Sequence, residues 1–504
     1  MRAKHVLLLI GTFVVGGCAP RAYVDGVIWQ IQKSGVTNAA FQGVSRYPGL
    51  RVDAFLIDEL EYVTSDTDLE AARDHLTMTL GESRRLGEYA VSNEIDRLSA
   101  SDLAWLWRQY FSDEDWPYEI REEIRDRFAS EADSAFAELS KQVQDAESLE
   151  ELHALAVSIR DDVTRSPKDR HGGGALLAWI TASVKEDRGP LDRGGLVVDV
   201  YEPGAQLGPY CLVRSTGDAG DDELLRKYSP IIVQERNPNA TYRDNVDRVG
   251  TVRATRRDGE VLVAIDTTTP SVYAYARRTW VNGRRHLQLT YTLWFPEHPE
   301  LEERDAEAGP VEGATLRITL DTENRPALFE TVRNCGCYHR CYPSMRVEAS
   351  SCEQFGSPLP SKRFCIEKEV EGTMDWIVPE TVVVEGQDSV RPILFSRAGW
   401  HGVAGVSFDL DEIRKRNVVA RRDYDLRCYE ELERLPGDGE FVSMFGPDGL
   451  VHGAGRLEGW YLAPTGMLSA GQPRQRGTQL LHWDQYDFDD PHLLERCLRL
   501  PADF

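Results

Sequence analysis

The sequence predicts an α+β protein: a helical N-terminal domain followed by a mainly antiparallel β domain, sandwich or barrel-like. Through residues 67–186 apolar side chains recur at three and four spacing, the period of an amphipathic helix. Beyond residue 222 the period falls to two and hairpin-turn dipeptides recur. Between them, 187–222 is rich in Gly, Pro and Asp and reads as an exposed linker region. A chain of 504 residues also exceeds what one core usually organises.

Residues 18–66 hold Gly, Pro and mixed apolar residues without clear period, which predicts a tether leading into a packed irregular segment around 47–60. Thr67-Asp68-Leu69-Glu70 and Ser148-Leu149-Glu150-Glu151 have the capping-box form and each opens a helical stretch. Ile120, Ile124, Phe128, Ala132, Ala135, Leu139 and Val143 make one stripe on a helix of about seven turns. Its other face is acidic: 111–150 carries 13 acidic and 4 basic side chains, as a solvated face does. The linker is marked at its two ends by Glu186-Asp187-Arg188-Gly189-Pro190 and Thr216-Gly217-Asp218-Ala219-Gly220-Asp221-Asp222.

The β domain is expected over 223–504. Its clearest stretch is 271–295, broken at Asn282-Gly283, a dipeptide that accepts the positive φ of a tight hairpin turn. Leu287, Leu289, Tyr291, Leu293 and Phe295 alternate with His286, Gln288, Thr290, Thr292 and Trp294, one face buried and the other largely polar. Asp258-Gly259, residues 321–326 and Pro447-Asp448-Gly449 divide further strands. No period of 20–50 residues marks a propeller or solenoid.

The formal charge of −25 repels phosphate backbones, so nucleic acid is excluded as a partner. At the N-terminus, Arg2 and Lys4 precede an apolar run over 6–15 that ends in Val15-Gly16-Gly17-Cys18. A charged start, a short apolar stretch and small residues before the cut have the form of a signal peptide. With Cys directly after Gly-Gly, this segment alone resembles the lipobox of bacterial lipoproteins. The resemblance implies that 1–17 is removed, that Cys18 is acylated, and that the membrane is a partner through the lipid. It places the protein in the bacterial cell envelope, and Ala19 in place of Asp favours the outer over the inner membrane. The longest later apolar run, 175–184, is far short of the ~20 residues of a spanning helix.

Eight further cysteines remain, and five fall in a Cys-rich excursion at 335–365: Cys335, Cys337, Cys341, Cys352 and Cys365. In an oxidising envelope two or more disulfides are expected there. The alternative is a transition-metal site that adds His339, since thiolates and imidazole suit Zn²⁺ or copper. The spacing Cys-x-Cys-x-His-x-Cys is not that of a zinc finger, and no cofactor is predicted. If the strands ending near His298 and His339 are neighbours, Glu297, His298, Glu330 and His339 converge as a candidate catalytic group. His286, His401, His452 and His482 read as surface or hydrogen-bonded structural residues.

The common hydrolase and nucleotide signals are incomplete. His171-Gly172-Gly173-Gly174 resembles an esterase oxyanion loop, but no Gly-x-Ser-x-Gly elbow accompanies it. Asp484, Asp487, Asp489 and Asp490 depart from the EF-hand order, and Asp490 with Pro491 reads as a helix start. The expectation is a lipid-anchored envelope protein serving as a binding or structural module, its protein or small-molecule ligand unspecified. A metal-dependent envelope hydrolase or oxidoreductase built on the Cys/His cluster is the alternative.

Overall fold

The computed structural model describes residues 19–110, 120–163, 195–207, 219–301, 303–360, 362–369, 378–386, 389–437, 441–463, 467–481 and 486–504. The expected signal segment with Cys18, most of the expected linker, Cys211, His482, Asp484 and residues 171–174 lie outside them. The fold is α+β, with N-terminal helices preceding one large, mostly antiparallel sheet. The described residues form two compact units, one from 19–37, 43–52 and 60–163, the other from 38–42, 53–59 and the residues beyond 194.

The first unit is helical. Where a tether was expected, Ala19–Lys33 is a helix, because Tyr23, Val24, Val27 and Ile31 fall on one face and bury against Val91, Ile95, Leu103 and Ile124. Asp68, one residue later than the capping-box pattern places it, caps helix Leu69–Arg97 and accepts the Glu70 and Ala71 N–H groups at 3.1 and 2.9 Å. Ser148 caps Leu149–Asp161 through the Glu151 N–H at 3.3 Å. Helix Ile120–Asp145 buries Ile120, Ile124, Phe128, Ala132, Leu139 and Val143. Ala135 is exposed, because the four-residue step from Ala132 leads to Phe136 instead.

The second unit carries twelve principal strands: β1 Val197–Leu207, β2 Ile231–Arg236, β3 Thr251–Arg257, β4 Glu260–Asp266, β5 Ser271–Val281, β6 Arg284–His298, β7 Gly309–Leu320, β8 Pro326–Arg333, β9 Arg340–Pro343, β10 Ile393–Ser396, β11 Val403–Ser407 and β12 Val418–Cys428. Ten of them form one sheet in the order β9-β8-β7-β6-β5-β12-β1-β2-β10-β11, while β3 and β4 make a separate hairpin. Strands β5 to β9 are the expected meander, each antiparallel to the next. Asn282 and Gly283 have φ of 52° and 71°, and Asp258 and Gly259 of 53° and 86°, the positive values a two-residue hairpin turn needs. The β5/β12, β12/β1 and β2/β10 pairs are parallel.

The sheet curls until its edge strands approach, with Arg340 of β9 donating to the Val403 carbonyl of β11 at 3.2 Å. Inside lie Leu289, Tyr291, Leu293 and Phe295 of β6 with Leu316, Ile318, Phe329, Leu394 and Tyr424. The polar face of β6 is buried as well, because C-terminal segments cover it. Its groups therefore need partners: Thr292 meets Thr315 at 3.1 Å and Gln288 donates to Thr319 at 3.1 Å, while on neighbouring β5 Thr279 and Arg277 donate to the carbonyls of Pro491 and Asp489 at 2.6 and 2.8 Å. The C-terminal helix runs Leu493–Cys497, two residues later than an Asp490 cap implies. Asp490 instead accepts the His492 N–H at 2.8 Å.

Candidate functional site

The structure divides the quartet Glu297, His298, Glu330 and His339. Strand pairing sets Glu330 opposite Arg317, and Arg317 opposite Thr290, eight residues before His298 on β6. That separation is about 27 Å along the strand. Glu330 and His339 meet, with His339 Nε2 at 3.1 Å from Glu330 Oε1. Glu297 pairs with Arg243 at 2.5 Å.

The Glu330 group is closed. Arg317, only 1% exposed, donates to both Glu330 oxygens at 2.7 Å, stacks 3.7 Å from the Phe488 ring centre and donates to the Phe488 carbonyl. Burial pushes the Glu330 carboxyl up, but Arg317 and the His339 hydrogen bond outweigh it and hold the pKa at about 2. Burial lowers the His339 pKa, so its ring is a neutral donor to an ionised carboxylate.

The five cysteines of the excursion part company. Cys352, on helix Met345–Phe355, is joined to Cys365 in a disulfide, and this is the one bridge within the excursion among the described residues. Cys335, Cys337 and Cys341 are free thiols. Glu348 lies beside the disulfide and accepts the Cys365 and Ile366 N–H groups at 2.6 and 3.1 Å. Ligand-type atoms of Glu348, Cys352 and Cys365 fall within 4.8 Å of one another, but sulfurs bonded to each other are not the thiolates a metal takes up. Cys341 stands opposite Glu330 across the β8/β9 pair, on the same face as Glu330. Cys335 and Cys337 lie beyond the end of β8, in a second group.

That second group is built where β6 and β8 end and β7 begins, from the connecting segments 299–308, 334–339, 397–402 and 454–458. Arg333 closes β8 with its guanidinium beside the edge-to-face rings of Tyr338 and Trp400, at 4.8 and 4.6 Å from their centres. It donates to Glu307 at 2.5 Å and to the Trp400 carbonyl, with Glu312 at 3.8 Å. Tyr338, held at φ 57°, donates its hydroxyl to the other Glu307 oxygen at 2.6 Å. Burial alone lowers the Arg333 pKa, yet Glu307 and Glu312 more than reverse that and keep the guanidinium charged.

His298 continues the group, 3.2 Å from Glu312 and 3.5 Å from Asp305. Burial lowers its pKa, but hydrogen bonds to Asp305 and Glu312 raise it by more. The imidazolium in turn overcomes the burial of Asp305 and holds that carboxyl at about 2. His401 stacks on Phe295 at 4.2 Å, and its Nε2 lies 3.2 Å from Asp247, which also accepts from Tyr242 at 3.0 Å and from the Gly399 N–H at 2.5 Å. Glu458, in the first turn of helix Leu457–Leu462, behaves differently. Burial, reinforced by the Glu307 charge, raises its pKa to about 7. This end of the sheet therefore holds fixed charges, a carboxyl that exchanges protons near neutrality and two thiols.

Sequence reasoning named His298, Cys335 and Cys337 here but missed Glu307, Glu312, Arg333, Tyr338, Trp400 and Glu458. The acidic run around Glu307 and the aromatic residue following Cys337 were available signals, but nothing local joins either to Glu458. A cavity of about 390 Å3 lies elsewhere, between β11 and residues 380–383, with Glu380, Glu412 and Arg416 among its walls. Burial and the neighbouring Glu412 raise the Glu380 pKa. Comparison with known proteins supplies no relative: no protein-family model, no curated protein and no solved structure matches the chain.

Proposed function

We propose that this chain is a lipid-anchored protein of the bacterial cell envelope, acylated at Cys18 in the outer membrane, whose β unit is a binding or structural module. The anchor rests on Val15-Gly16-Gly17-Cys18 after a charged and apolar leader. The module reading rests on one observation above others. Glu330 and His339, two of the four residues expected to converge as a candidate catalytic group, are buried and held by Arg317 and Phe488, with no open position for a substrate. No helix among the described residues is long and apolar enough to cross a membrane, so an acyl chain would supply the attachment.

Fractionation of the native host with wild type and Cys18→Ser tests the anchor. Wild type is expected in the membrane pellet at outer-membrane density and the variant in the soluble fraction with an unchanged circular dichroism spectrum. An unmodified Cys18 in the mass spectrum of native protein overturns the lipid. Metal analysis of protein purified without chelators tests the module: one tightly held transition-metal ion per chain, lost in a folded His339→Ala variant, would make the metal-enzyme reading the leading one.

A further inference from the structure

We propose that Cys335 and Cys337 are a redox-active dithiol that reduces an external disulfide and closes to an intramolecular bridge. The inference goes beyond the anchored-module reading and does not depend on acylation of Cys18.

The geometry of Cys335-Gly336-Cys337 carries it. Gly336 has φ 105°, which folds the tripeptide so that the Cys337 N–H donates to Cys335 Sγ at 3.4 Å. Only glycine fits between them, since a Cβ at 336 would stand 2.6 Å from the Leu480 backbone nitrogen. Exposure differs in the way an exchange centre needs: Cys337 is partly exposed and can attack, while Cys335 is buried and can resolve. Cys341, Cys428 and Cys497 are buried, and Cys352 and Cys365 are already bonded.

The charges around the pair fit the same chemistry. Arg333 and Arg456 lie near Cys335, and Glu458 and Glu307 near Cys337. The neighbouring Cys335, then burial and the two carboxylates, push the Cys337 thiol up, so its thiolate forms only as a proton is drawn away. Glu458 faces Glu307 and Glu312 on one side of the balance and Arg333 and Arg456 on the other, and it takes up protons near neutrality. The Cys337 S–H proton passes to solvent and the sulfur attacks one sulfur of the disulfide RSSR. The S–S bond breaks, the first RS⁻ leaves and is protonated from solvent, and a mixed disulfide remains on Cys337. Cys335 then attacks Cys337 Sγ, its proton goes with the second leaving thiolate, and the internal bridge forms. In sum, two protein thiols are oxidised and one RSSR is reduced to two RSH.

The test uses the full chain, reduced, desalted and treated under native conditions with oxidised glutathione, then acid-quenched and mapped by mass spectrometry. Wild type is expected to release both glutathione halves, retain no adduct, and yield a peptide containing Cys335 and Cys337 that has lost two hydrogens. Cys335→Ser should stop halfway, with glutathione retained on Cys337. Retention of glutathione on wild-type Cys337, a bridge from Cys337 to any other cysteine, or no reaction would overturn the dithiol, and this wild-type result decides even if a variant does not fold. Loss of Cys18 acylation leaves every one of these readings unchanged.

Discussion

Glu330 and Arg333 stand three residues apart on β8, so strand alternation turns them to opposite faces of the sheet. Each sits in a network of arginine, carboxylate and histidine, yet the two networks differ in kind. Around Glu330 every strong group has a matched partner: a bidentate guanidinium, an imidazole and an aromatic ring. Around Arg333 carboxylates are in excess, the Nδ1 atom of His401 makes no hydrogen bond, and Glu458 is left near neutrality in its titration. The same residue types therefore serve a core where charge is balanced and enclosed, and reactivity where it is surplus beside a partly exposed thiol.

The sharpest way to break the closed network is Arg317→Ala, which strands an ionised carboxylate in the core. A loss of about 3–5 kcal/mol is expected in urea unfolding. Arg317→Met combined with Glu330→Gln should cost less than Arg317→Ala alone. Acid gives the next effect. The Glu330 pKa is depressed from 4.5 to about 2 in the fold, so its stabilisation is complete above the unfolded value and is lost as pH falls through the window to about 2. The double variant should show a shallower acid limb in thermal melts across that window. In the open network, Tyr338→Phe removes one donor to Glu307 and should cost about 1–2 kcal/mol, read by denaturant midpoint. Glu458→Gln should act in the opposite direction. A carboxyl raised from 4.5 to about 7 stabilises the fold below the unfolded value and loses that contribution as pH rises through 7. The variant is therefore expected to be more stable than wild type at pH 8, on the order of 1 kcal/mol, and unchanged at pH 4. Equal stabilities at both pH values would erase the distinction between the networks.

Local pattern was enough for the meander. Asn282-Gly283 and Asp258-Gly259 specify their own turn geometry, and the alternation in β6 specifies its faces. The helical stripe from Ile120 to Val143 was legible for the same reason, apart from Ala135. What eluded sequence reasoning depends on contacts made at long range. Nothing near β12 indicates that it slots in parallel between β5 and β1. The helix Ala19–Lys33 hid in a segment whose composition resembles a tether. Glu330 and His339 were correctly joined because a short turn connects their strands, whereas His298 was assigned to them from strand adjacency without the register that holds it at the far end. Glu458 lies more than a hundred residues beyond Cys337, and its proton affinity comes from burial and Glu307, neither of which can be read from its own neighbours.

The curl of the ten-stranded sheet has a bearing on self-association. An open sheet ends in two rows of free N–H and C=O groups, which template pairing with a second chain. Here Val382 exchanges main-chain contacts beside β9, its N–H donating to the Pro343 carbonyl at 2.8 Å, and Arg340 occupies the Val403 carbonyl of β11. Copies crowded side by side on one surface would meet few vacant strand edges, so crowding by itself gives them little main chain through which to aggregate.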